Sequence, residues 1–305
     1  MSENLMVAGL IVGSAIRAGT PVLFATVGEV LTQRAGVINL GLEGAMLMGA
    51  VAAAWTHLMT GSVLLAVLAG AGAGLLVGVV HAASVVLAGL NMLASGICLF
   101  FIGRGLSGFW GQPIVGRPLE GLHALRWPLL ADLPVLGEAL FAQDLLVYLA
   151  GATALAGWWL LFRTRVGLLL RAAGEDAAVA QAEGVPVRAL RVASVAVGAG
   201  LAGIGGAHLV LVFSRTWIEG VTAGRGWIAI GLVVLARWNP LYAVPAAFLF
   251  GGVMALQLNA QVAGLAVSPY LLSMLPYLFT ILTLIGARWW ASSSGMPAEL
   301  ARIED

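Results

Sequence analysis

No Asp, Glu, Lys or Arg occurs between Glu43 and Arg104, nor between Arg237 and Arg288. Two shorter charge-free runs separate Asp144 from Arg163 and Arg191 from Arg215. An α-helix needs about 20 apolar residues to cross the hydrocarbon core of a bilayer. Each long run therefore holds two or more crossings, and each short run holds one. Composition agrees: 10% of the residues are charged, against about 25% in soluble globular domains. Mean hydropathy is +1.00. These features predict an all-α polytopic integral membrane protein, with residues 1–305 forming a single transmembrane domain.

The pattern gives about nine (eight to ten) transmembrane or half-spanning helices, near 6–28, 43–60, 62–87, 91–110, 143–162, 190–213, 225–236, 241–260 and 269–287. The seventh is too short to span and reads as a half-helix, tolerated where protein or a cavity covers its ends. Thr20-Pro21 predicts a kink in the first. Asn239-Pro240 and Ser268-Pro269 each set a capping residue before a proline, a helix start. The opening MSENLMVAGL lacks the basic region of a cleavable signal.

Every basic residue is arginine. A phosphate-binding P-loop needs its lysine, so this chain is not a standard P-loop ATPase, and a lysine Schiff base is excluded too. Cys98 stands alone, and His57, His81, His123 and His208 lie far apart. No catalytic, cofactor or metal site is expected from them, and the net charge of +1 gives no sign of a nucleic-acid partner. Arg163, Arg165, Arg171, Arg188 and Arg191 crowd one loop, near 163–190. Arg34, Arg237, Arg288 and Arg302 fall on the same side if crossings alternate. Positive charge favours the cytoplasm. This puts the 163–190 loop and the 288–305 tail inside. The 111–142 loop, where Arg117 and Arg126 are balanced by Glu120, Asp132 and Glu138, lies outside with the N-terminus. Gly70, Gly72, Gly74 and Gly78, and again Gly198, Gly200 and Gly203, read as close helix packing. The second set matches GxGxxG, but without the preceding strand a dinucleotide site requires.

Three polar segments interrupt the apolar runs. In 28–44, GEVLTQRAGVINLGLEG, two readings stand for Glu29 and Arg34: a paired cytoplasmic loop or charges facing a path. Asn39 and Glu43 are candidates for lining a path at a helix break. In 163–191, a two-turn helix is expected over 175–183, with Asp176 in its first turn, Gly184 as its stop and Pro186 beyond. It is either a solvated linker or an element a cytoplasmic motor pushes. In 213–240, Trp217, Glu219, Arg225 and Trp227 gather at the outer boundary, as interface anchors or as a Glu219–Arg225 pair facing a solute. Arg17 and Arg104 lie within apolar runs, either snorkelling or on a path. Asn91 caps the fourth segment or contacts a polar solute.

The runs GVINLGLEGAMLMGA, RTRVGLLLRAAGEDAAVAQAEGV and TAGRGWIAIGLVVLARWNP, in that order, resemble the permease family of ABC importers for simple sugars and nucleosides. The likeness extends over about residues 21–276 and is nearest the nucleoside (guanosine-type) branch, which riboflavin importers share. The resemblance implies a second, related permease subunit in a heterodimer. It also implies a cytoplasmic ABC ATPase subunit, an extracytoplasmic substrate-binding protein and a small polar solute moved inward by alternating access. It maps the family's ATPase-coupling loop onto 171–185, with Arg171, Gly174, Glu175, Asp176 and Gly184. Asn91-Met92 departs from the family's Asn-Gln. Ion-coupled secondary transport and intramembrane catalysis are the readings from other classes. The first would show inverted repeats, the second clustered His, Asp or Ser, and neither is visible in the sequence.

Overall fold

The computed structural model describes residues 2–301 apart from 129, 132, 134, 263–267 and 291–294. Asp132 and Arg302 therefore lie outside the described residues. The described residues are mainly helical: α1 (Ser2–Arg34), α2 (Leu42–Thr60), α3 (Val63–Ala82), α4 (Met92–Gly111), α5 (Leu136–Leu140), α6 (Leu145–Arg163), α7 (Arg165–Glu175), α8 (Ala177–Ala182), α9 (Val187–His208), α10 (Arg225–Leu235), α11 (Pro240–Val262), α12 (Pro269–Trp290) and α13 (Ala298–Ala301). One hairpin of two short strands, Leu125–Arg126 and Ala142–Gln143, ties the long outer loop together. Single π-helical turns extend α3 over Ala83–Leu87 and α9 over Leu209–Phe213.

Local chemistry sets many of these starts. Asn91 Oδ1 accepts hydrogen bonds from Leu93 N and Ala94 N at 3.0 Å each. Asp144 Oδ1 accepts from Leu146 N at 2.9 Å, and Thr164 Oγ1 from Gly167 N at 3.1 Å. Asn239 Oδ1 accepts from Leu241 N at 3.0 Å just before Pro240. Each satisfies an orphan donor at a helix N-terminus. Pro21 is accommodated inside a helix that runs unbroken to Arg34, six residues beyond the sequence-based limit.

Among the described residues six helices are long and apolar enough to cross a membrane: 8–34, 63–87, 92–114, 145–163, 187–213 and 240–261. Shorter apolar stretches occupy Arg225–Leu235 and Leu271–Thr283. The most hydrophobic windows of α1 and α9 are 72% and 78% buried, those of α3 and α4 only 22%. α1, α2 and α9 therefore form the centre, and α3 and α4 are peripheral, with Leu64, Leu68, Leu76 and Phe101 exposed. Lipid supplies no hydrophobic drive between helices, so close backbone approach holds the centre together. A Cβ on Gly203 would stand 3.0 Å from Gly74 Cα, and one on Gly78 2.6 Å from Ala199 Cβ. Gly70, Gly74 and Gly78 of α3 thus face Ala199 and Gly203 of α9, whereas Gly198 packs on Gly28 of α1 and Gly72 has no neighbour within 4 Å.

Arg34, Arg191 and Arg237 gather at one end of the bundle, with α7 and α8. Arg34 Nε donates to Trp238 O at 2.9 Å, and Arg191 Nε to Ala35 O at 2.9 Å. The N-terminal part of α1 meets the opposite end, where Gly9 packs on Val135 and Gly13 on Glu138. The N-terminal part of α1 thus lies at the same end as the 111–142 loop.

Candidate translocation site

Two helices start inside the bundle rather than at its surface. A Cβ on Gly44 would stand 2.7 Å from Leu99 O and 3.0 Å from Phe100 Cα. The first turn of α2 therefore lies beside the middle of α4. α10 has 11 residues and so is about 16 Å long. It rises from the arginine-rich end and has its N-terminus at the same depth. A Cβ on Gly226 would come 2.6 Å from Glu43 Cα, so that glycine lets the two starts touch.

Glu43 joins them. Its Oε1 accepts from Thr222 Oγ1 at 2.5 Å and from Gly224 N at 2.8 Å, and its Oε2 from Gly226 N at 2.6 Å. The side chain is buried. A carboxylate at a helix N-terminus meets both the unpaired N–H groups and the positive end of the dipole. The exposed backbone of a broken helix within the membrane is thereby satisfied.

Two cavities along α4, both lined by Arg104, make up a groove leading from this point toward the end that carries the 111–142 loop. Its inner lobe, about 280 Å³, is lined by Glu43, Phe100, Arg104, Thr222 and Trp227. Its outer lobe, about 490 Å³, is lined by Phe101, Arg104, Phe109, Gln112 and Glu219. Both volumes are of the order that small-molecule sites occupy. Arg104 belongs to both lobes. Phe100 and Trp227 pack edge to face at 5.1 Å. The groove thus offers aromatic faces together with a guanidinium, a carboxylate and an amide.

The sequence-selected residues fall out as follows. Glu43 forms the floor of the groove and Glu219 lines its outer lobe. Trp217 is buried under Gly111, and its backbone bridges Val115. Arg225 does not pair with Glu219. It points to the other side of the α10 start, where Nη1 donates to Val221 O at 3.1 Å and Thr222 O at 3.0 Å. There it lines a separate cavity of about 320 Å³ with Phe213, Gln257 and Tyr277. Asn39 is buried in the 35–41 turn, its Oδ1 accepting from Gly41 N at 3.0 Å. Asn91 is committed to capping α4, and the neighbouring Met92 Sδ accepts from Ile38 N at 3.4 Å.

Glu29 and Arg34 do not form the pair considered from the sequence. Glu29 Oε1 accepts from Gln33 Nε2 at 2.9 Å and Asn39 N at 3.1 Å. Gln33 Oε1 in turn accepts from Trp238 Nε1 at 2.7 Å. This buried chain links the end of α1 to the α10–α11 turn, and only its polar members marked it in the sequence. Arg104 was visible as an intramembrane charge. The aromatic groove around it was not, because its walls come from α4, α10 and the 217–224 segment.

The 163–190 loop holds two helices rather than one. Asp176 is not inside a first turn. It separates α7 from α8 and caps the latter, with Oδ1 accepting from Ala178 N and Val179 N at 3.0 Å each. Glu175 ends α7. Gly184, at φ +83°, stops α8 as a left-handed residue that favours glycine. Gly174 packs against Gly36, a Cβ there standing 3.2 Å from Gly36 N. Arg171 lies over the Phe162 ring at 5.1 Å, with Arg34 also against that ring at 5.6 Å. Val179, 60% exposed, projects from α8 away from the bundle.

Comparison with known proteins adds the identity. Residues 10–284 match the family described as branched-chain amino acid transport system / permease component. A Haloferax volcanii ABC transporter permease protein, whose name assigns it glucose provisionally, is 38% identical over 86% of this chain and 80% of its own. A nucleoside ABC transporter permease protein of Lactococcus lactis is 33% identical over 90% of this chain and 91% of its own. A guanosine ABC transporter permease protein of Bacillus subtilis is 30% identical over 93% of each. No solved structure matches the chain. The chain belongs to the branched-chain amino acid transport system / permease component family, and is the multi-pass, membrane-spanning permease component of an ABC transporter in the plasma membrane.

Proposed function

We propose that this permease imports a nucleoside, guanosine-type purine nucleosides first among them, through the groove along α4. The observation that carries the reading is the groove's lining. Phe100, Phe101, Phe109 and Trp227 supply faces for a flat base, and Arg104, Gln112 and Glu219 supply hydrogen-bonding partners for base and ribose. Stacking of a base on an aromatic ring contributes about 1–3 kcal/mol per base in nucleic-acid complexes. Two relatives of matching length carry nucleoside or guanosine in their names.

In this reading a second, related permease covers the open side of the groove. A substrate-binding protein delivers the solute to the outer surface, at the 111–142 loop and Glu219. A cytoplasmic ATPase engages α7 and α8 through the exposed face around Val179 and Gly184. The ATPase carries the hydrolysis, and this chain has only to bind solute differently in two states. The contact between the α2 and α10 starts is the natural point of change, because it is held by one side chain rather than by continuous helix. A simple sugar is the second reading, favoured by the Haloferax relative.

Uptake of a labelled panel (guanosine, adenosine, uridine, ribose, glucose, riboflavin) by the complex in proteoliposomes tests the substrate. Purine nucleosides should accumulate and compete with one another. Accumulation of glucose alone, unaffected by excess guanosine, refutes the nucleoside reading and supports the sugar one.

A further inference from the structure

The last described residues fold back onto the α7–α8 pair. Glu299 Oε2 accepts from Arg191 Nη2 at 3.1 Å, and Glu299 Oε1 from Ala177 N at 3.4 Å. Glu175 Oε2 accepts from Ala298 N at 3.3 Å. Leu300 is buried. Arg191 also donates to Ala35 O at 2.9 Å and to Ala173 O at 3.1 Å. A Cβ on Gly36 would stand 3.3 Å from Glu299 Cβ, and one on Gly295 2.7 Å from Arg237 O. One short segment thus touches the end of α7, the start of α8, the first turns of α9, the α1–α2 break and the turn between α10 and α11.

Those are the elements through which a push on α8 must pass to reach the Glu43 contact. The α1–α2 break leads directly to Asn39 and Glu43. The α10–α11 turn carries Trp238, which is hydrogen-bonded to Gln33 in α1. Glu299 spans both α8, through Ala177 N, and the Arg191 guanidinium that grips the break. Both partners of that ion pair are about one-fifth exposed. The contact is shielded more than a surface pair yet reachable by solvent. Such a pair can be made and broken in a cycle at a cost well below that of a buried one.

We propose that residues 295–301 act as a clasp that couples α8 to the helix breaks, with Glu299 as its positioning residue. This rests on the reading of α7 and α8 as the ATPase-coupling elements. The clasp makes movement of α8 and of the 35–41 turn a single event. Without it, α8 can follow the ATPase while the transmembrane breaks stay behind. Hydrolysis then continues and transport per ATP falls.

The test uses the full complex of both permeases, ATPase and binding protein in proteoliposomes, measuring solute moved per ATP hydrolysed. Glu299→Ala should lower that ratio about fivefold or more, the lower end of typical coupling between sites. Glu299→Gln, which keeps an acceptor for Ala177 N, should give an intermediate ratio. Val179→Asp, on the exposed face of α8 and outside the clasp, tests the coupling reading alone and should abolish solute-stimulated hydrolysis. If Val179→Asp is defective while Glu299→Ala keeps the wild-type ratio, the clasp is refuted and the coupling reading stands. If Val179→Asp works normally, the coupling reading fails and the clasp with it. A Glu299→Ala complex that loses uptake and hydrolysis in equal proportion also refutes the clasp, since a merely structural defect moves both together.

Discussion

Replacing Glu43 should unpin the start of α10. The carboxylate accepts three hydrogen bonds, from Thr222 Oγ1, Gly224 N and Gly226 N. Hydrogen bonds to a charged group contribute about 1.5–3 kcal/mol each, and a carboxylate at a helix N-terminus adds about 0.3–2 kcal/mol. The three share one side chain and are not additive. Glu43→Ala, which leaves the buried Gly226 N–H and the half-buried Gly224 N–H without this partner, should cost about 3–5 kcal/mol. Glu43→Gln keeps the bonds from Thr222 and Gly224 if its carbonyl oxygen takes the Oε1 place. Its NH₂ then faces Gly226 N–H, donor against donor, at a cost of about 2–3 kcal/mol. Heat denaturation of the detergent-solubilised protein, followed by size-exclusion recovery, reads the difference. At about 2 °C per kcal/mol for a chain of this size, Ala should lower the midpoint by about 6–10 °C and Gln by about 4–6 °C. A shift below about 1 °C for Ala, with uptake intact, would refute the role given to Glu43.

Gly203→Leu should abolish recovery of folded protein, because the new side chain would meet Gly74 Cα at 3.0 Å and the Gly70 carbonyl nearer still. Fluorescence-detected size exclusion reads this, and a monodisperse wild-type-like peak would contradict the packing account. Gly184→Val should cost about 1–2 kcal/mol through its left-handed backbone and leave the fold intact, since no atoms crowd that site. Loss of solute-stimulated ATPase activity in the complex is the expected readout. Arg104→Ala and Glu219→Gln change exposed groove residues and should raise the KM for uptake several-fold without moving the denaturation midpoint, whereas unchanged uptake of every solute would return both to lipid-interface roles.

Much of the architecture was legible because lipid leaves so few options. Charge-free length and proline-preceding caps located the nine longer hydrophobic helices among the described residues, including the short α10. Periodicity is local, so it also placed Gly184 at the end of α8. It mislocated Asp176, because an N-cap and a first-turn acid look alike until the preceding helix is known to end at Glu175. The arginine-rich stretch hid α7, whose short buried face of Leu170, Ala173 and Gly174 is visible only against Arg34 and Gly36. The site was less legible than the fold. Glu43 and Thr222 are joined only by the meeting of two helix starts, and Glu219 and Arg225, close in sequence, are sent to opposite sides of one turn. The contacts of Glu299 with Arg191 and Ala177 join residues 108 and 122 positions apart, and no local pattern announces them.

The claim underlying the rest is that this chain opens and closes a path with energy drawn from another subunit. Guanosine accumulation in proteoliposomes, with and without the ATPase subunit and ATP, tests it most directly. Accumulation against a gradient only when both are present is the expected result. Concentrative uptake by this chain without the ATPase, driven by a proton or sodium gradient, would contradict it.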